Sequence, residues 1–81
     1  MRKFDDREEL EAWLEALDYE AFWREIAPFR LTLPNRAECD DRIDEGVDRA
    51  TILSVLQMLA RMQIVEEQGL RLRVMVHGLP H

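Results

Sequence analysis

The sequence predicts a mostly α-helical domain with a small β hairpin near its C-terminal end. Through the first and middle parts of the chain apolar residues recur every three to four positions, whereas LRLRVMV (70–76) alternates at every second position. The first pattern is typical of amphipathic helices and the second of a half-buried strand. Because 81 residues support a single small core, we expect one domain with an ordered core of about residues 5–76 and a frayed tail at 77–81.

Two short helices, or one bent helix, are predicted before residue 28. Asp5 or Asp6 begins the first, since each has a glutamate three residues later that completes a capping box. Asp18 begins the second, which ends at Pro28 because proline cannot continue a helix. The apolar faces are Leu10, Trp13, Leu14 and Leu17, then Tyr19, Phe22, Trp23 and Ile26. All six aromatic residues precede position 30, which indicates packing against one side of the core.

A short strand and an acidic helix are predicted next. FRLTL (29–33) alternates before Pro34 and is a candidate third strand for the hairpin. Asn35 then caps a helix, with Glu38 at the capping-box position, that continues to Gly46. This helix has few apolar residues, so we expect it to lie at the surface with one edge on the core.

The long helix that follows is predicted to be the centre of the molecule. Asp48 is its N-cap, and it runs from Arg49 to about Met62. Apolar residues cover more than half of its circumference and leave one polar stripe, formed by Ala50, Ser54, Gln57 and Arg61. A helix of this kind is buried on most sides, or part of its apolar surface is covered by a partner molecule.

A hairpin is predicted after the long helix. Ile64–Val65–Glu66 pairs with the alternating segment 70–76 across a turn at Gln68–Gly69. Because such a hairpin leaves unpaired edges, it requires a third strand or a second subunit. The alternative fold class is a small all-α bundle with a C-terminal strand.

The order of these elements resembles the winged helix-turn-helix superfamily over roughly residues 5–76. The run GVDRATILSVLQMLARMQIVEEQGLRLRV (46–74) looks like its turn, recognition helix and wing. The resemblance implies a winged-helix-like α-α-β-α-α-β-β arrangement in which the long helix lies in the major groove of DNA. The residues that it implies for DNA contact are Arg36, Arg49, Ala50, Ser54, Gln57, Arg61, Arg71 and Arg73.

Charge favours a different use of the same fold. Residues 1–45 carry fourteen Asp or Glu against seven Lys or Arg, and acidic residues crowd the helix and turn beside the implied reading surface. Phosphate repulsion would oppose DNA binding there. Our leading hypothesis is therefore a small regulatory protein that binds another protein with a basic surface, after dimerising through the long helix or the hairpin edge. DNA-binding regulation is the alternative, and an acidic nucleic-acid mimic that blocks a basic groove is the third hypothesis.

Two sets of residues are predicted to contact the protein partner. The acidic set is Asp40, Asp41, Asp44 and Glu45, and the apolar set is Met58, Met62 and Met75. Methionine suits such a contact because its flexible side chain conforms to varied surfaces.

Catalytic and metal-binding patterns are weak. The two histidines, His77 and His81, lie in the predicted tail, and Cys39 is the only cysteine. No calcium-loop, zinc or phosphate-binding pattern occurs, so we expect no enzymatic activity, metal or cofactor. No apolar run reaches membrane-spanning length, and no signal peptide pattern follows the basic residues at the N-terminus. We therefore expect a soluble cytoplasmic protein.

Overall fold

The computed structural model describes residues 1–72, and this part of the chain consists of four α-helices and one 3₁₀ turn. Helix α1 spans Arg7–Glu15 and α2 spans Tyr19–Ile26, followed by the 3₁₀ turn at Ala27–Phe29. Helix α3 spans Arg36–Asp44 and α4 spans Arg49–Gln68. The helices follow the predicted order, and α1 and α2 are two separate helices and not one bent helix.

Side-chain caps begin three of the helices at the predicted residues. The carboxylate of Asp6 accepts a hydrogen bond from the backbone N–H of Glu9 at 2.9 Å, and that of Asp18 accepts from Ala21 at 2.8 Å. Asn35 caps α3 through an equivalent bond of 2.9 Å. Asp48 occupies the N-cap position of α4, but its side chain makes no capping hydrogen bond. Each cap satisfies an amide that the first turn leaves without a helical partner.

Helix α4 is the centre of the core, as predicted. Its inner face consists of Ile52, Leu56, Ala60 and Ile64, all of which are buried. The core opposite this face includes Leu10 and Leu14 of α1 with Phe22 and Ile26 of α2. Burial of each large apolar side chain contributes about 1.5–3 kcal/mol, so this layer is the main source of stability.

An aromatic cluster closes one end of the core. The centroid of the Phe4 ring lies 5.2 Å from that of Trp13 and 6.2 Å from that of Phe29. The centroids of the Trp13 and Phe29 rings are 5.6 Å apart. The guanidinium of Arg2 lies 5.0 Å from the centre of the Phe4 ring. The cluster therefore holds the N-terminal segment against α1 and the 3₁₀ turn.

The predicted hairpin is wrong in its first strand. Ile64, Val65 and Glu66 lie in α4, which continues six residues beyond the predicted end at Met62. Ile64 is fully buried one turn after Ala60, so continuing the helix extends the inner face, and this burial outweighs the weak β preference of the Ile–Val pair. The helix ends at Gly69, whose φ of 62° is the left-handed conformation that glycine adopts without steric cost.

The predicted strand at 29–33 is also wrong. Phe29 completes the 3₁₀ turn, and Arg30 has a φ of 52°, which breaks the extended path. The amide side chain of Gln63 then accepts from the N–H of Thr32 and donates to its C=O, both at 2.8 Å. A glutamine of α4 thus supplies the pairing that a neighbouring strand would supply.

The winged-helix-like fold class is therefore contradicted, and the all-α alternative fits. No strand occurs within residues 1–72, and Leu70, Arg71 and Leu72 are not part of a sheet. The remainder of the predicted second strand, 73–76, and the predicted tail at 77–81 lie outside the described residues. Within residues 1–72 no helix is both long and apolar enough to cross a membrane.

Candidate functional site

Helix α4 carries a second apolar face that the fold leaves exposed. We call this the outer strip: Val55, Met58 and Met62, which are 46%, 45% and 58% exposed. Their spacing of three and four residues places them on one side of the helix. At about 100° per residue this side lies roughly 150° from the inner face. The outer strip is thus an apolar surface that the core of this domain does not use.

An apolar groove between α3 and α4 adjoins the outer strip at Val55. Its volume is about 300 Å³. It is lined by Pro34, Glu38, Cys39, Arg42, Thr51, Ile52, Val55 and Leu56. Burial raises the pKa of the Cys39 thiol, and the negative charges of Asp40 and Glu38 add to this effect. A thiol with a raised pKa is a poor nucleophile, so Cys39 serves as an apolar wall of the groove.

A cleft between α1 and α4 borders the outer strip on its other side. It is lined by Glu11, Leu14, Glu15, Ser54, Gln57, Met58 and Arg61. The guanidinium of Arg61 pairs with the carboxylate of Glu11 at 3.3 Å, and the Gln57 amide donates to the C=O of Leu14 at 2.9 Å. These two contacts join the polar stripe of α4 to α1.

The predicted acidic set divides between two sides of α3. The carboxylate of Asp40 accepts a hydrogen bond of 2.6 Å from the Tyr19 hydroxyl of α2. Asp41 and Glu45 lie with Glu38 and Arg42 on the exposed side, and Asp44 is exposed. Of the four predicted residues, only Asp41 and Glu45 therefore share one surface with the groove residue Glu38.

Polar contacts attach α3 to the rest of the domain. Arg36 pairs with Glu20 at 2.6 Å, and its guanidinium lies 5.6 Å from the centre of the Tyr19 ring. The guanidinium of Arg49, at the start of α4, lies at the same distance from that ring. Cys39 is the only buried residue of α3. Together with the packing of Cys39 and Ile43 against the core, these contacts hold α3 beside the groove.

The residues that the winged-helix resemblance implies for DNA contact are mostly engaged within the chain. Arg36 and Arg49 contact Tyr19, Gln57 binds the Leu14 carbonyl, and Arg61 pairs with Glu11. Ala50, Ser54 and Arg71 are exposed, and the Arg71 carbonyl accepts from the N–H of Arg7 at 3.2 Å. Arg73 lies outside the described residues. The implied set does not form one free basic surface among the residues that the structure describes.

Two of the three residues in the predicted apolar set lie within the described part of the chain, and both are exposed. Met58 and Met62 lie together on the outer strip, while Met75 falls outside the described residues. Sequence reasoning missed the third member, Val55, and the acidic residues Glu11 and Glu15 beside the strip. The helical wheel of α4 contained a signal for Val55, since it shares a face with both methionines.

The described residues form no metal centre from which a function could be inferred. No cluster of three or more His, Cys, Asp or Glu residues suited to a metal ion occurs within residues 1–72. Comparisons of the chain with protein-family models, curated proteins and solved structures found no match. We therefore infer function from the geometry of the surface around α4.

The Tyr19–Asp40 bond predicts a loss of stability at alkaline pH. Burial raises the pKa of Tyr19 above its ordinary value of 10.0, and hydrogen bonding to Asp40 raises it further. Because the folded-state pKa is the higher one, this contribution is complete below pH 10.0 and is lost as the pH rises through the folded pKa. Tyr19→Phe should lower the free energy of unfolding by about 1 kcal/mol at neutral pH and reduce the alkaline loss.

Urea unfolding at a series of pH values, with tyrosinate absorbance recorded in parallel, measures both effects. Tyr19 is the only tyrosine in the sequence, so the absorbance reports this residue alone. An alkaline loss of equal size in Tyr19→Phe would show that the bond does not link α2 to α3 in solution.

Proposed function

We propose that this domain is a non-catalytic protein-binding module whose binding surface is the outer strip together with the α3–α4 groove. The observation that carries this proposal is the exposure of three large apolar side chains on the side of α4 that faces away from the core. Contiguous apolar surface of this kind marks interaction sites more often than isolated exposed residues do.

The composition of the surface supports the same function. Two of the three side chains in the outer strip are methionines, which adapt to a partner by rotating about several bonds. The groove next to the strip is a depression into which a partner side chain fits. The raised pKa of the Cys39 thiol argues against a nucleophile in this groove.

Site-specific photo-cross-linking tests the proposal. A photoreactive amino acid is placed at position 58 on the outer strip, or at position 67 as a control. Glu67 is exposed and lies nine residues after Met58, about two and a half turns along α4, which places it on the opposite side of the helix. We expect cross-links to another polypeptide in native cells from position 58 and none from position 67.

A second substitution identifies the surface that the cross-links require. Adding Met62→Ser to the position-58 variant should remove most cross-linked product, because it takes away apolar contact without changing charge. Equal cross-linking from positions 58 and 67, or no effect of Met62→Ser, would contradict the proposed function.

A further inference from the structure

The outer strip lies between two edges that belong to different helices. Met58 lines the cleft with Glu11 and Glu15 of α1, and Val55 lines the groove with Glu38 of α3. The apolar strip therefore has carboxylates on both sides. A ligand that covers the strip meets negative charge along both of its flanks.

The charge balance of these edges is negative. The two edges and the adjoining exposed side of α3 contain Glu11, Glu15, Glu38, Asp41 and Glu45, against Arg42 and Arg61. Five carboxylates against two guanidiniums leave a balance of −3. Arg61 is paired with Glu11, so these two charges largely offset each other, and the net negative charge comes from Glu15 and from α3. Electrostatic complementarity therefore favours a partner with positively charged residues on both sides of its apolar face.

The shape of the surface matches one helix. From Thr51 at the groove to Met62, this surface extends about 16 Å along α4, the length of about three turns of a helix. The side chains of Val55, Met58 and Met62 form a ridge along α4. A second helix with apolar residues at i, i+3, i+4 and i+7 packs against such a ridge.

These observations identify the class of partner, on the condition that the proposed function holds. We infer that the outer strip binds an amphipathic α-helix of another protein whose apolar face is flanked by Lys or Arg. The apolar residues of that helix cover Val55, Met58 and Met62. Its basic residues meet the carboxylates of α1 on one side and those of α3 on the other.

A second copy of this chain fits the surface less well. In a two-fold symmetric dimer the same surface meets itself, so edges with a balance of −3 face edges of the same sign. Each chain also carries a formal charge of −6, which adds to the repulsion. A basic helix would instead be attracted both by the acidic edges and by the net negative charge of the chain.

Synthetic peptides of about 16 residues, long enough to span the strip, test the inference. The probe has leucine at helical spacing and lysine elsewhere. One control replaces every lysine by glutamate, and the other keeps the lysines and replaces every leucine by serine. In titration calorimetry with the full chain, we expect the leucine–lysine peptide to bind and neither control peptide to bind. Added salt should weaken the binding of the leucine–lysine peptide.

Two double variants of the protein locate the binding surface. Met58→Ser with Met62→Ser should weaken binding of the leucine–lysine peptide by at least about tenfold, since it removes the centre of the contact. Glu15→Gln with Glu38→Gln takes one carboxylate from each edge and should weaken binding about three- to tenfold and reduce its salt dependence.

A matched variant controls for overall charge. Glu25→Gln with Glu67→Gln makes the same change in net charge at exposed positions on α2 and on the opposite side of α4. It should bind the leucine–lysine peptide as the unchanged protein does. Circular dichroism of each variant confirms that the helices remain folded.

Three results would overturn the inference. The first is equal weakening by the Glu15/Glu38 and Glu25/Glu67 variants, which would mean that the peptide responds only to net charge. The second is equal binding of the glutamate peptide. The third is a dimer in analytical ultracentrifugation that the methionine variant dissociates, which would assign the strip to a second copy.

The proposed function is tested separately. If the peptide does not bind but heterologous cross-links from position 58 persist, the domain is a binding module for a partner of different chemistry. If the cross-links are also absent, both proposals are wrong.

Discussion

Leu56→Ala should lower the free energy of unfolding by about 2–5 kcal/mol, whereas Met62→Ala should change it by less than about 1 kcal/mol. The two residues lie in the same helix and have side chains of similar apolar character. Leu56 is 1% exposed on the inner face, so its truncation leaves a cavity in the core. Met62 is 58% exposed, so its truncation removes contacts mainly with water.

Urea unfolding followed by far-ultraviolet circular dichroism measures the difference. Both substitutions introduce alanine, which favours the helix, so helix propensity does not account for a loss. Measurements at two protein concentrations separate folding from association. Comparable losses for the two variants, independent of concentration, would show that the outer strip is part of the core and would remove the basis of the proposed function.

Phe4→Ala should lower the free energy of unfolding by about 3–5 kcal/mol. The Phe4 ring is buried between Trp13 and Phe29, and it is the main apolar anchor of the N-terminal segment. The same segment is attached to the end of α4 by Gln68, whose amide accepts from the N–H of Phe4 and donates to the C=O of Arg2, both at 3.0 Å. Loss of the ring therefore weakens the contact between the two ends of the described chain.

Tryptophan fluorescence and limited proteolysis measure this change. Trp13 should become more exposed in Phe4→Ala, which shifts its emission to longer wavelength, and the first few residues should be cleaved faster. Lys3→Ala is the control, because Lys3 is exposed beside Phe4. Unchanged stability in Phe4→Ala would mean that the aromatic cluster does not hold the N-terminal segment in solution.

The two sides of α4 contribute differently to the fold. The inner face holds α1 and α2 together, and the glutamines of the helix bind the backbone of neighbouring segments through Gln57, Gln63 and Gln68. Because these contacts stabilise the domain without using the outer strip, the strip can change with little loss of stability. An exposed surface of this kind can be tested by mutation without unfolding the protein.

The helix starts could be predicted because capping is local. Asp6, Asp18 and Asn35 each bind an amide three residues ahead, so the sequence alone contains both partners of the hydrogen bond. The end of α2 before Pro28 is local for the same reason. The apolar circumference of the long helix predicted burial on most sides, but α4 buries a single face, formed by Ile52, Leu56, Ala60 and Ile64.

The candidate site could be predicted only in part. Met58 and Met62 share a face by helical spacing, which the sequence contains. Which side of a helix with two apolar faces turns towards the core depends on the packing of α1 and α2, so the sequence did not show that Val55 is exposed. The acidic set divided because Asp40 binds Tyr19, 21 positions earlier in the chain.

The sequence by itself determined the order and starting points of the helices and the central position of α4, because caps, breakers and periodicity act over a few residues. Only the tertiary structure decided that Ile64 to Glu66 are helical, since the burial of Ile64 depends on distant residues. Likewise, only the tertiary structure showed that Thr32 pairs with Gln63 and not with a strand, because Gln63 lies 31 positions away in the sequence. The exposure of the outer strip was decided at the same level, by which face of α4 the other helices cover.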